Sequence, residues 1–385
     1  MNTPKFPKKA LSFAIFTVAF FLSFFLLNYS YVSASDYALT IIAGDKTYYF
    51  SHCETSVYKG KKYLNKAAQV VEGIYFDTLV PPQNAELVFS PDDKNVFSVN
   101  EEKNGVSVNT EKLLSDVKRA LNNNTPVVKA EFITLYPDIY KKDVLKNTFR
   151  RASFSTSYAA SSDGRKHNIA LAAKKLNGIK IPIDEEFSFN NAVGARSVEN
   201  GFKTAKIILN GEFADGVGGG VCQVSSTIYN CALLSGLTVT EQHSHSLSVG
   251  YVEPSFDAMV NSYTSDLKFL NDTGGDVYVA ATADGTTLSF TFYGVMQTET
   301  YERISVTKET ILPEPAEIVS DDSLRAGETK TVRACKNGLK SEGYLIKYSD
   351  GKRVKTIKIR SDKYNPVRGK ILISPRRTET IEGLL

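Results

Sequence analysis

The stretch GVGGGVCQVSSTIYNCALLSGLTVTEQHSHS, Gly216–Ser246, decides how the centre of this chain folds. Apolar residues recur at helical spacing after the glycines, which predicts a helix over Gln223–Ser235. Gly236 is suited to end that helix, because glycine adopts the left-handed conformation found after a helix C-terminus. The residues beyond Gly236 predict a strand that returns along the helix.

This layout is suited to pairing a thiol with an imidazole. A helix rises about 1.5 Å per residue and a strand about 3.3 Å, so about six to eight extended residues bring His243 or His245 back level with Cys222. On a strand the two histidines would share a face. Cys222 would lie at the helix N-terminus, where the helix dipole lowers the pKa of a thiol. Three polar residues are open candidates for a third group that orients the histidine: Asp257, Glu241 and Asn191.

The same residues permit other functions. Glycines before Cys222 let a ligand approach the backbone and expose N–H groups as an anion nest or oxyanion hole, and Gln223 could add a side-chain donor. A metal site made by Cys222, His243 and His245 would need a fourth ligand, so we expect no metal and no other cofactor. A free cysteine is often a small core residue. Cys231 is predicted to be one, on the side of the helix opposite Cys222.

The N-terminus indicates export. Lys5, Lys8 and Lys9 precede the uncharged apolar run Ala10–Leu27, and small residues follow up to Ala34. These are the parts of a secretory signal, and the run is also long enough to cross a bilayer as a helix. The lysines would stay cytoplasmic and the rest would lie outside. Cleavage after Ala34 and retention as a single-pass anchor both remain open, so residues 1–34 are predicted to be a signal peptide or a membrane anchor.

The composition is that of an ordinary globular protein with several domains. The chain has 385 residues, 42% apolar and 23% charged, with a net charge of +4. That charge is too small to indicate nucleic-acid binding, although the basic excess after Tyr301 suits anionic wall polymers or lipid head groups. Four scattered cysteines do not make a disulfide framework, and a pair of Cys53 with Cys335 is possible but not required. The oligomeric state is left open.

The hydrophobic patterns predict an α+β multidomain protein. A mixed α/β domain spans 36–148, with paired strands in AELVFS and VFSVN and a helix over VNTEKLLSDVKRALNNN. A central α+β domain spans 149–296, with a helix capped by Asp163 and hairpin turns at Asn210-Gly211 and Asp284-Gly285. Glu309–Pro315 is typical of a linker. A small all-β domain with a hairpin at Asp350-Gly351 completes 309–385.

Motifs in the central domain carry a specific resemblance. FSFN, VGARSVENGF, GGGVCQVSSTIYN and HSHS occur in this order, after RKHNIALAAKKLNG, and together they closely resemble the VanW family, named from a vancomycin-resistance gene cluster. The segment before them resembles a peptidoglycan-binding domain, and the tail is similar to the glycine-marked G-five domain. The chain departs from the family at Ile183-Asp184-Glu185, where members usually have Pro-Gly-Glu, and within Glu253–Asp257, which lacks a common glycine.

The resemblance implies a setting at the cell wall, outside the membrane, with a link to glycopeptide resistance. It also implies which residues matter, since these positions match the family motifs: Phe189, Asn190, Arg196, Gly219, Gly220, Cys222, Gln223, Ser225, Ser226, Thr227, His243 and His245. With the spacing argument, Cys222, His243 and His245 become the catalytic candidates. The ligand-binding candidates are Asn190, Arg196, Gly218, Gly219, Gly220, Gln223, Ser225, Ser226 and Thr227.

Two functions follow as expectations. The first is a membrane-tethered wall protein that binds peptidoglycan or its precursors without turnover, with Arg196 holding a carboxylate of the stem peptide. The alternative is a thiol enzyme of the transpeptidase or amidase type, with Cys222 as nucleophile and His243 or His245 as base. Location does not separate the two, so sequence leaves open whether the protein is an enzyme.

Overall fold

A computed structural model describes residues 37–209 and 212–375. The predicted signal or anchor segment and the Asn210-Gly211 turn lie outside these described residues. Within these ranges, no helix has both the length and the apolar character needed to cross a bilayer. The chain divides into two compact units, one formed by the residues through Gln83 with Lys103–Pro137, the other by Asn84–Glu102 with the residues from Asp138 onward.

Short strands and helices alternate along the first two thirds of the chain. The strands up to residue 135 are β1 (Tyr37–Ala43), β2 (Lys46–Ser51), β3 (Thr55–Tyr58), β4 (Lys61–Leu64), β5 (Glu86–Phe89), β6 (Phe97–Asn100), β7 (Gly105–Val108), β8 (Val127–Lys129) and β9 (Phe132–Leu135). The helices are α1 (Ala67–Thr78), α2 (Thr110–Asn122), α3 (Lys141–Val144), α4 (Asp163–Leu176), α5 (Phe189–Val193) and α6 (Val221–Leu234), with short 3-10 turns at His52–Glu54 and Leu145–Asn147.

The remaining strands belong to the central and C-terminal parts of the chain. Those of the central part are β10 (Phe149–Ser157), β11 (Lys180–Ile181), β12 (Glu186–Ser188), β13 (Thr204–Leu209), β14 (Glu212–Val217), β15 (Thr238–Glu241), β16 (Lys268–Leu270), β17 (Val277–Ala283) and β18 (Thr287–Gly294). Those of the C-terminal part are β19 (Glu299–Ile311), β20 (Glu317–Ser320), β21 (Thr329–Arg333), β22 (Gly338–Ser349), β23 (Lys352–Tyr364) and β24 (Lys370–Ile373).

The first unit packs two helices with a small sheet of order β2-β1-β8, in which β1 and β8 run parallel. Its predicted helix is confirmed as α2. The Asn109 side chain accepts a hydrogen bond from the Lys112 N–H at 3.0 Å and so caps the helix start. Leu113, Val117 and Leu121 are buried, as their helical spacing predicts.

The predicted strands in AELVFS and VFSVN pair antiparallel as β5 and β6, which confirms that hairpin. The hairpin belongs to the second unit rather than the first. Its Phe89 and Phe97 rings pack against Tyr278, with centroids 5.2 and 5.5 Å apart. The domain boundary at residue 148 stays a prediction. The β5–β6 hairpin precedes that boundary in the sequence, but it packs with residues that follow it.

The core of the second unit lies between helices α4 and α6 and a sheet of order β10-β18-β17-β11. Helix α4 is the predicted helix, but its N-cap is Ser162, and Asp163 is the first helical residue. The two predicted strands that meet at Asp284-Gly285 pair as β17 and β18. Strands β13 and β14 also pair antiparallel on either side of the Asn210-Gly211 position.

Helix α6 confirms the prediction from the opening motif within two residues. It begins after Gly220, whose φ is 109°, and ends before Gly236, whose φ is 75°. The side chains around almost the whole helix are buried, so it forms a central element of the core. The returning strand is shorter than predicted, because β15 ends at Glu241. His243 and His245 therefore lie in irregular backbone after the strand, and the prediction that they share a strand face is wrong.

The C-terminal part is all β, as predicted. It forms one sheet of order β19-β22-β23 and another of order β20-β24-β21. Asp350 and Gly351 both have positive φ and make the predicted turn between β22 and β23. The linker prediction at Glu309–Pro315 is wrong for its first three residues, because β19 continues through Ile311 and pairs there with Gly338. Together these parts make an α+β multidomain protein.

Candidate functional site

A cleft of about 1110 Å³ opens at the start of helix α6. We call it the Cys222 cleft. Its walls are the glycine turn Gly218–Gly220, the first residues of α6, and the irregular segments 244–251 and 259–263. Residues of the C-terminal β region complete the lining: Lys336, Lys363 and Asn365. The predicted helix start and the predicted glycine turn thus do meet at an open cavity.

Cys222 is the second residue of α6 and is half-buried at the wall of the cleft. Its thiol donates a hydrogen bond to the Val260 carbonyl at 3.4 Å, and the neighbouring His245 side chain interacts with it electrostatically. Cys231 lies on the other side of the helix, fully buried, and burial raises the pKa of its thiol to about 12. Cys231 is therefore the predicted core residue, and all four cysteines are free thiols.

His245 is held by Asp257. The ring Nδ1 lies 2.6 Å from Asp257 Oδ2, and the His245 backbone N–H donates to the same oxygen at 2.7 Å. Because Asp257 engages Nδ1, the Nε2 atom is the one left to face Cys222. The order thiol, imidazole, carboxylate is the arrangement of a catalytic triad.

The second carboxylate oxygen of Asp257 is also bonded. Tyr364 donates its hydroxyl to Oδ1 at 2.6 Å, and the Arg360 guanidinium donates to the same atom at 2.5 Å. Both residues belong to strand β23, more than a hundred positions away in the sequence. The carboxyl group of Asp257 is only 1% exposed, so these donors replace the water that it would otherwise bind.

Electrostatics favour a charged pair at this site. Burial would raise the pKa of Asp257, but His245, Arg360 and Tyr364 lower it to about 2. Burial would lower the pKa of His245, but its bonds to Asp257 and Cys222 raise it to about 9. Burial likewise opposes the Cys222 thiolate, and the His245 hydrogen bond and charge outweigh it, so that the pKa of the thiol falls below its ordinary value. Both shifts favour a thiolate next to an imidazolium.

The glycine turn is shaped by close contacts. A Cβ on Gly219 would lie 2.6 Å from the Lys206 carbonyl oxygen, and Gly218 has a φ of 87°, which side chains disfavour. Three amides at the turn are already bonded: the Gly218 N–H donates to the Lys203 carbonyl, the Val221 N–H to that of Gly218, and the Gln223 N–H to that of Gly220. Fewer backbone N–H groups are therefore available to bind an anion than the run of glycines suggests.

Four of the predicted ligand-binding residues on α6 are engaged inside the protein. The amide of Gln223 reaches the cleft, but its Nε2 donates to Thr156 Oγ1 and the Ser157 carbonyl, and its Oε1 accepts from Arg165 at 2.6 Å. The other three are fully buried: Ser225, Ser226 and Thr227. The Ser225 hydroxyl donates to the Ala258 carbonyl at 2.6 Å, and Ser226 Oγ accepts from the Ala258 N–H at 2.9 Å. These hydroxyls fix the segment that carries Asp257 rather than lining the cleft.

Arg196 is placed as predicted, at the wall of the cleft. Its guanidinium donates to Asn190 Oδ1 at 2.6 Å and contributes to the low pKa of Cys222. Asn190 does not face a ligand, since its side-chain amide also donates to the Asn261 and Ser265 carbonyls. Asn190 therefore orients Arg196, and the buried Phe189 ring lies beneath the same guanidinium.

The structure separates the two candidate histidines. His243 pairs with Glu241 at 3.0 Å, and Glu241 also bonds Lys268 at 2.9 Å. Neither His243 nor Glu241 is among the described residues that line the Cys222 cleft. Of the three candidates for the orienting group, Asp257 alone bonds His245 among the described residues. Asn191 instead donates its backbone N–H to Ser188, at the start of α5.

Sequence reasoning missed three residues of this site. Arg360 and Tyr364 come from a distant domain and match no motif, so no sequence signal placed them near Asp257. Arg165 lies in the quoted RKHNIALAAKKLNG segment, and its bond to Gln223 could have been suspected only from that motif. No group of three or more His, Cys, Asp or Glu in the ranges 37–209 and 212–375 is arranged to hold a metal ion.

Three family models match the chain. Residues 164–293 match a model described as "VanW like protein", residues 62–128 match a "Putative peptidoglycan binding domain", and residues 303–373 match a "G5 domain". The "Uncharacterized protein YoaR" of Bacillus subtilis (strain 168) is 38% identical over 147 residues, which cover 38% of this chain and 48% of that protein. The "Vancomycin B-type resistance protein VanW" of Enterococcus faecalis (strain ATCC 700802 / V583) is 32% identical over 123 residues, covering 30% of this chain and 44% of that protein. The chain thus spans about half the length of these relatives.

Two solved G5 structures each match about a fifth of the chain. The "IgA1 Protease G5 domain structure" is 16% identical, covers 20% of this chain and 92% of that one, and has a TM-score of 0.15. The "Crystal structure of HP0197-G5" is 21% identical with a TM-score of 0.12, and covers 20% of this chain and 97% of that one. The family matches carry the assignment: the chain has a VanW-like domain between a peptidoglycan-binding-type domain and a G5 domain, an order that fits a cell-wall-associated protein.

Proposed function

We propose that the VanW-like domain is a cysteine enzyme that hydrolyses or transfers an acyl group of a cell-wall peptide. The observation that supports it is the series Cys222, His245 and Asp257 at the wall of an open cleft, in which Asp257 hydrogen-bonds His245 and His245 lowers the pKa of Cys222. A buried core cysteine needs neither an oriented imidazole nor a buried carboxylate behind it. The triad therefore favours the thiol enzyme over a protein that binds without turnover.

Cys222, His245 and Asp257 each act in both steps of the proposed reaction, which are the acylation of Cys222 and the breakdown of the resulting thioester. The Cys222 thiolate attacks a peptide carbonyl carbon, and its sulfur–carbon bond replaces the carbon–nitrogen bond of the leaving amine. The His245 imidazolium gives its Nε2 proton to that amine, while Asp257 keeps the ring oriented. Water or an acceptor amine then attacks the thioester, His245 takes the proton of that nucleophile, and the Cys222 thiolate is restored. We infer that the oxyanion is stabilised by backbone amides of the glycine turn and the α6 N-terminus other than those of Gly218, Val221 and Gln223, which are already bonded.

The charge of the Cys222 cleft indicates the class of substrate. Five cationic residues line it: Arg165, Arg196, Lys206, Lys336 and Lys363. No Asp or Glu is among its described lining residues. A positively charged cleft attracts negatively charged ligands. We therefore propose that the substrate carries carboxylates. Peptidoglycan stem peptides have this chemistry, and the match of residues 62–128 to a peptidoglycan-binding domain supports that choice.

A wall-binding role without turnover is the second candidate function, and the same domain match favours it. The two candidates are compatible, because a binding domain can hold the chain on the polymer while the cysteine acts on its peptides. One relative bears the name of a vancomycin resistance protein. For this chain we propose only that its activity at the cell wall changes the tolerance of the cell to glycopeptides.

The proposed location is outside the cytoplasmic membrane. The sequence of residues 1–34 supports it, since lysines precede an apolar run as in a secretory signal or an anchor. The match to a peptidoglycan-binding domain also supports this location, because peptidoglycan lies outside the cytoplasmic membrane. Either a tethered or a released protein would meet its substrate there.

Trapping of the acyl-enzyme tests the enzyme proposal. The purified full chain is incubated with soluble stem-peptide fragments, and the mass of the Cys222 peptide is measured together with released amine. We expect an acyl adduct on Cys222 and release of product, both absent in Cys222→Ser and both present in His243→Ala. Release that persists in Cys222→Ser would overturn the proposal. So would a complete panel of stem peptides that gives neither adduct nor product.

A further inference from the structure

The G5 domain contributes the inner end of the Cys222 site. Asp257 belongs to the VanW-like domain, yet its Oδ1 atom accepts hydrogen bonds, among the described residues, only from two residues of β23. Tyr364 is 1% exposed and lies 2.6 Å away, and Arg360 lies 2.5 Å away. Two oxygens of one carboxylate are thus divided between His245 on one side and the G5 domain on the other.

We propose that Arg360 and Tyr364 are positioning residues of the thiol site, so that the VanW-like domain requires its G5 domain to orient Asp257 and, through it, His245. This inference rests on the proposed function, and it adds that the triad is assembled across two domains. The G5 domain then acts as a structural component of the active site as well as a wall-type module.

The geometry shows why both donors are needed. A buried carboxylate stays charged when hydrogen bonds and nearby positive charges replace the water it has lost, and donors at both oxygens also fix its orientation. Tyr364 also accepts a hydrogen bond from the Ser255 N–H at 2.8 Å, which fixes its hydroxyl as a donor toward Asp257. Arg360 also forms an ion pair with Asp362, whose Oδ2 lies 2.7 Å from its Nε, although these two atoms are not aligned for a hydrogen bond. The donors therefore reach Asp257 from a rigid strand rather than from a mobile loop.

The surrounding interface is broader than this one contact. The Ser255 hydroxyl lies 2.6 Å from that of Ser341 on β22, and both residues are buried. A Cβ on Gly343 would lie 2.9 Å from the Ser255 carbonyl oxygen, so the two domains approach closely. Ser341→Ala removes a hydrogen bond of the same interface without touching Asp257. It is the matched control for a change that merely loosens the contact between the domains.

The test is the pH dependence of Cys222 alkylation by iodoacetamide in the full chain, followed by mass spectrometry of the Cys222 peptide. The charged or titratable groups that face the sulfur are His245, Arg196, Arg165 and Tyr251. Those that interact with Asp257 are His245, Arg360, Tyr364, Tyr229 and Tyr251. All four groups around the sulfur remain in the Arg360 and Tyr364 variants. A shift in the profile therefore reports the orientation of Asp257 and His245.

We expect Tyr364→Phe and Arg360→Gln each to raise the apparent thiol pKa by about one unit. Alkylation should therefore slow by about tenfold at pH values well below the thiol pKa of the unaltered protein, and by less at higher pH. Arg360→Lys should recover part of the rate because it restores the charge, and Ser341→Ala should follow the unaltered protein. Circular dichroism selects folded variants. If Tyr364→Phe does not fold, the pair Arg360→Gln and Arg360→Lys carries the test.

Two further results separate this inference from the proposed function. If Cys222 of the unaltered protein titrates as an ordinary thiol near ~8.5, the proposed function fails, and the inference fails with it. If its pKa is low and His245→Ala abolishes the effect, the proposed function stands. In that case, the pH dependence of Cys222 alkylation in Tyr364→Phe and Arg360→Gln could still match that of Ser341→Ala. Such a match would overturn the positioning role of Arg360 and Tyr364 and leave the proposed function in place.

Discussion

Asp257 holds His245 twice with the same carboxylate oxygen, through the ring Nδ1 at 2.6 Å and through the backbone N–H at 2.7 Å. The second bond fixes the histidine backbone, and the first then fixes the ring on it. An imidazole restrained in this way presents Nε2 in one direction, toward Cys222. The pair therefore determines which of the two neighbouring histidines serves the thiol.

Replacement of each histidine tests that selection. His245→Ala should slow alkylation of Cys222 at pH 7 by about tenfold or more, because the thiolate loses its hydrogen bond and its counter-charge. His243→Ala is the matched control and should leave the rate unchanged, since His243 pairs with Glu241 instead. The rate constant is measured by mass spectrometry of the Cys222 peptide. A larger effect in His243→Ala would reverse the assignment.

Acid should weaken the fold through Asp257. The folded-state pKa of this buried carboxyl is about 2, below the value of about 3.9 for an exposed Asp. A group with a depressed pKa contributes stability above its unfolded pKa and loses it as the pH falls through its folded pKa. The free energy of unfolding should therefore drop by about 2 kcal/mol between about pH 5 and pH 2. Asp257→Asn should be less stable at pH 7 and should lack this part of the decline in urea titrations. An equal decline in both proteins would contradict the ionised Asp257.

The glycine turn should not accept a side chain at Gly219. The added Cβ would lie 2.6 Å from the Lys206 carbonyl oxygen, and backbone must shift to admit it. We expect Gly219→Ala to cost about 1–3 kcal/mol in the free energy of unfolding. Gly250→Ala is the control, because no atom lies within 4 Å of the added Cβ there, and thermal unfolding compares the two. Equal stability of the two variants would show that the close contact is relaxed in solution.

The basic lining should govern affinity rather than chemistry. Lys363→Glu places a negative charge in the Cys222 cleft, so KM for a carboxylate-bearing peptide should rise about tenfold while kcat changes little. Lys355→Glu makes the same charge change on the same strand, β23, outside the lining residues. It should leave KM near that of the unaltered protein. Steady-state kinetics at two salt concentrations measure both, and a KM that ignores Lys363 would remove the argument for an anionic substrate.

Local features of the fold could be predicted from sequence because local residues cause them. Helix α6 follows from the apolar spacing, and its ends follow from Gly220 and Gly236, both of which have positive φ. Hairpins at Asp284-Gly285 and Asp350-Gly351 follow from turn chemistry in the same way. The length of β15 could not be predicted, because the strand ends where β16 stops pairing with it, at Glu241.

The site could be predicted only in part, because its contacts are not local. The return of a histidine to Cys222 follows from helix and strand lengths, but the choice of His245 depends on Asp257 and on irregular backbone between them. Ser255 has a φ of 66° within Glu253–Asp257, where the family resemblance led us to expect a glycine, so a serine adopts the left-handed conformation here. Arg360 lies 103 positions from Asp257, and no spacing rule reaches that far.

The ionisation of Cys222 tests the central claim most directly. Ultraviolet thiolate absorbance is titrated against pH in the unaltered protein, and the Cys222→Ser titration is subtracted. A thiolate stabilised by His245 should already be present at neutral pH, with a midpoint well below the ~8.5 of a free cysteine. A difference signal that appears only at or above that value would contradict the thiolate–imidazolium pair and the enzyme that depends on it.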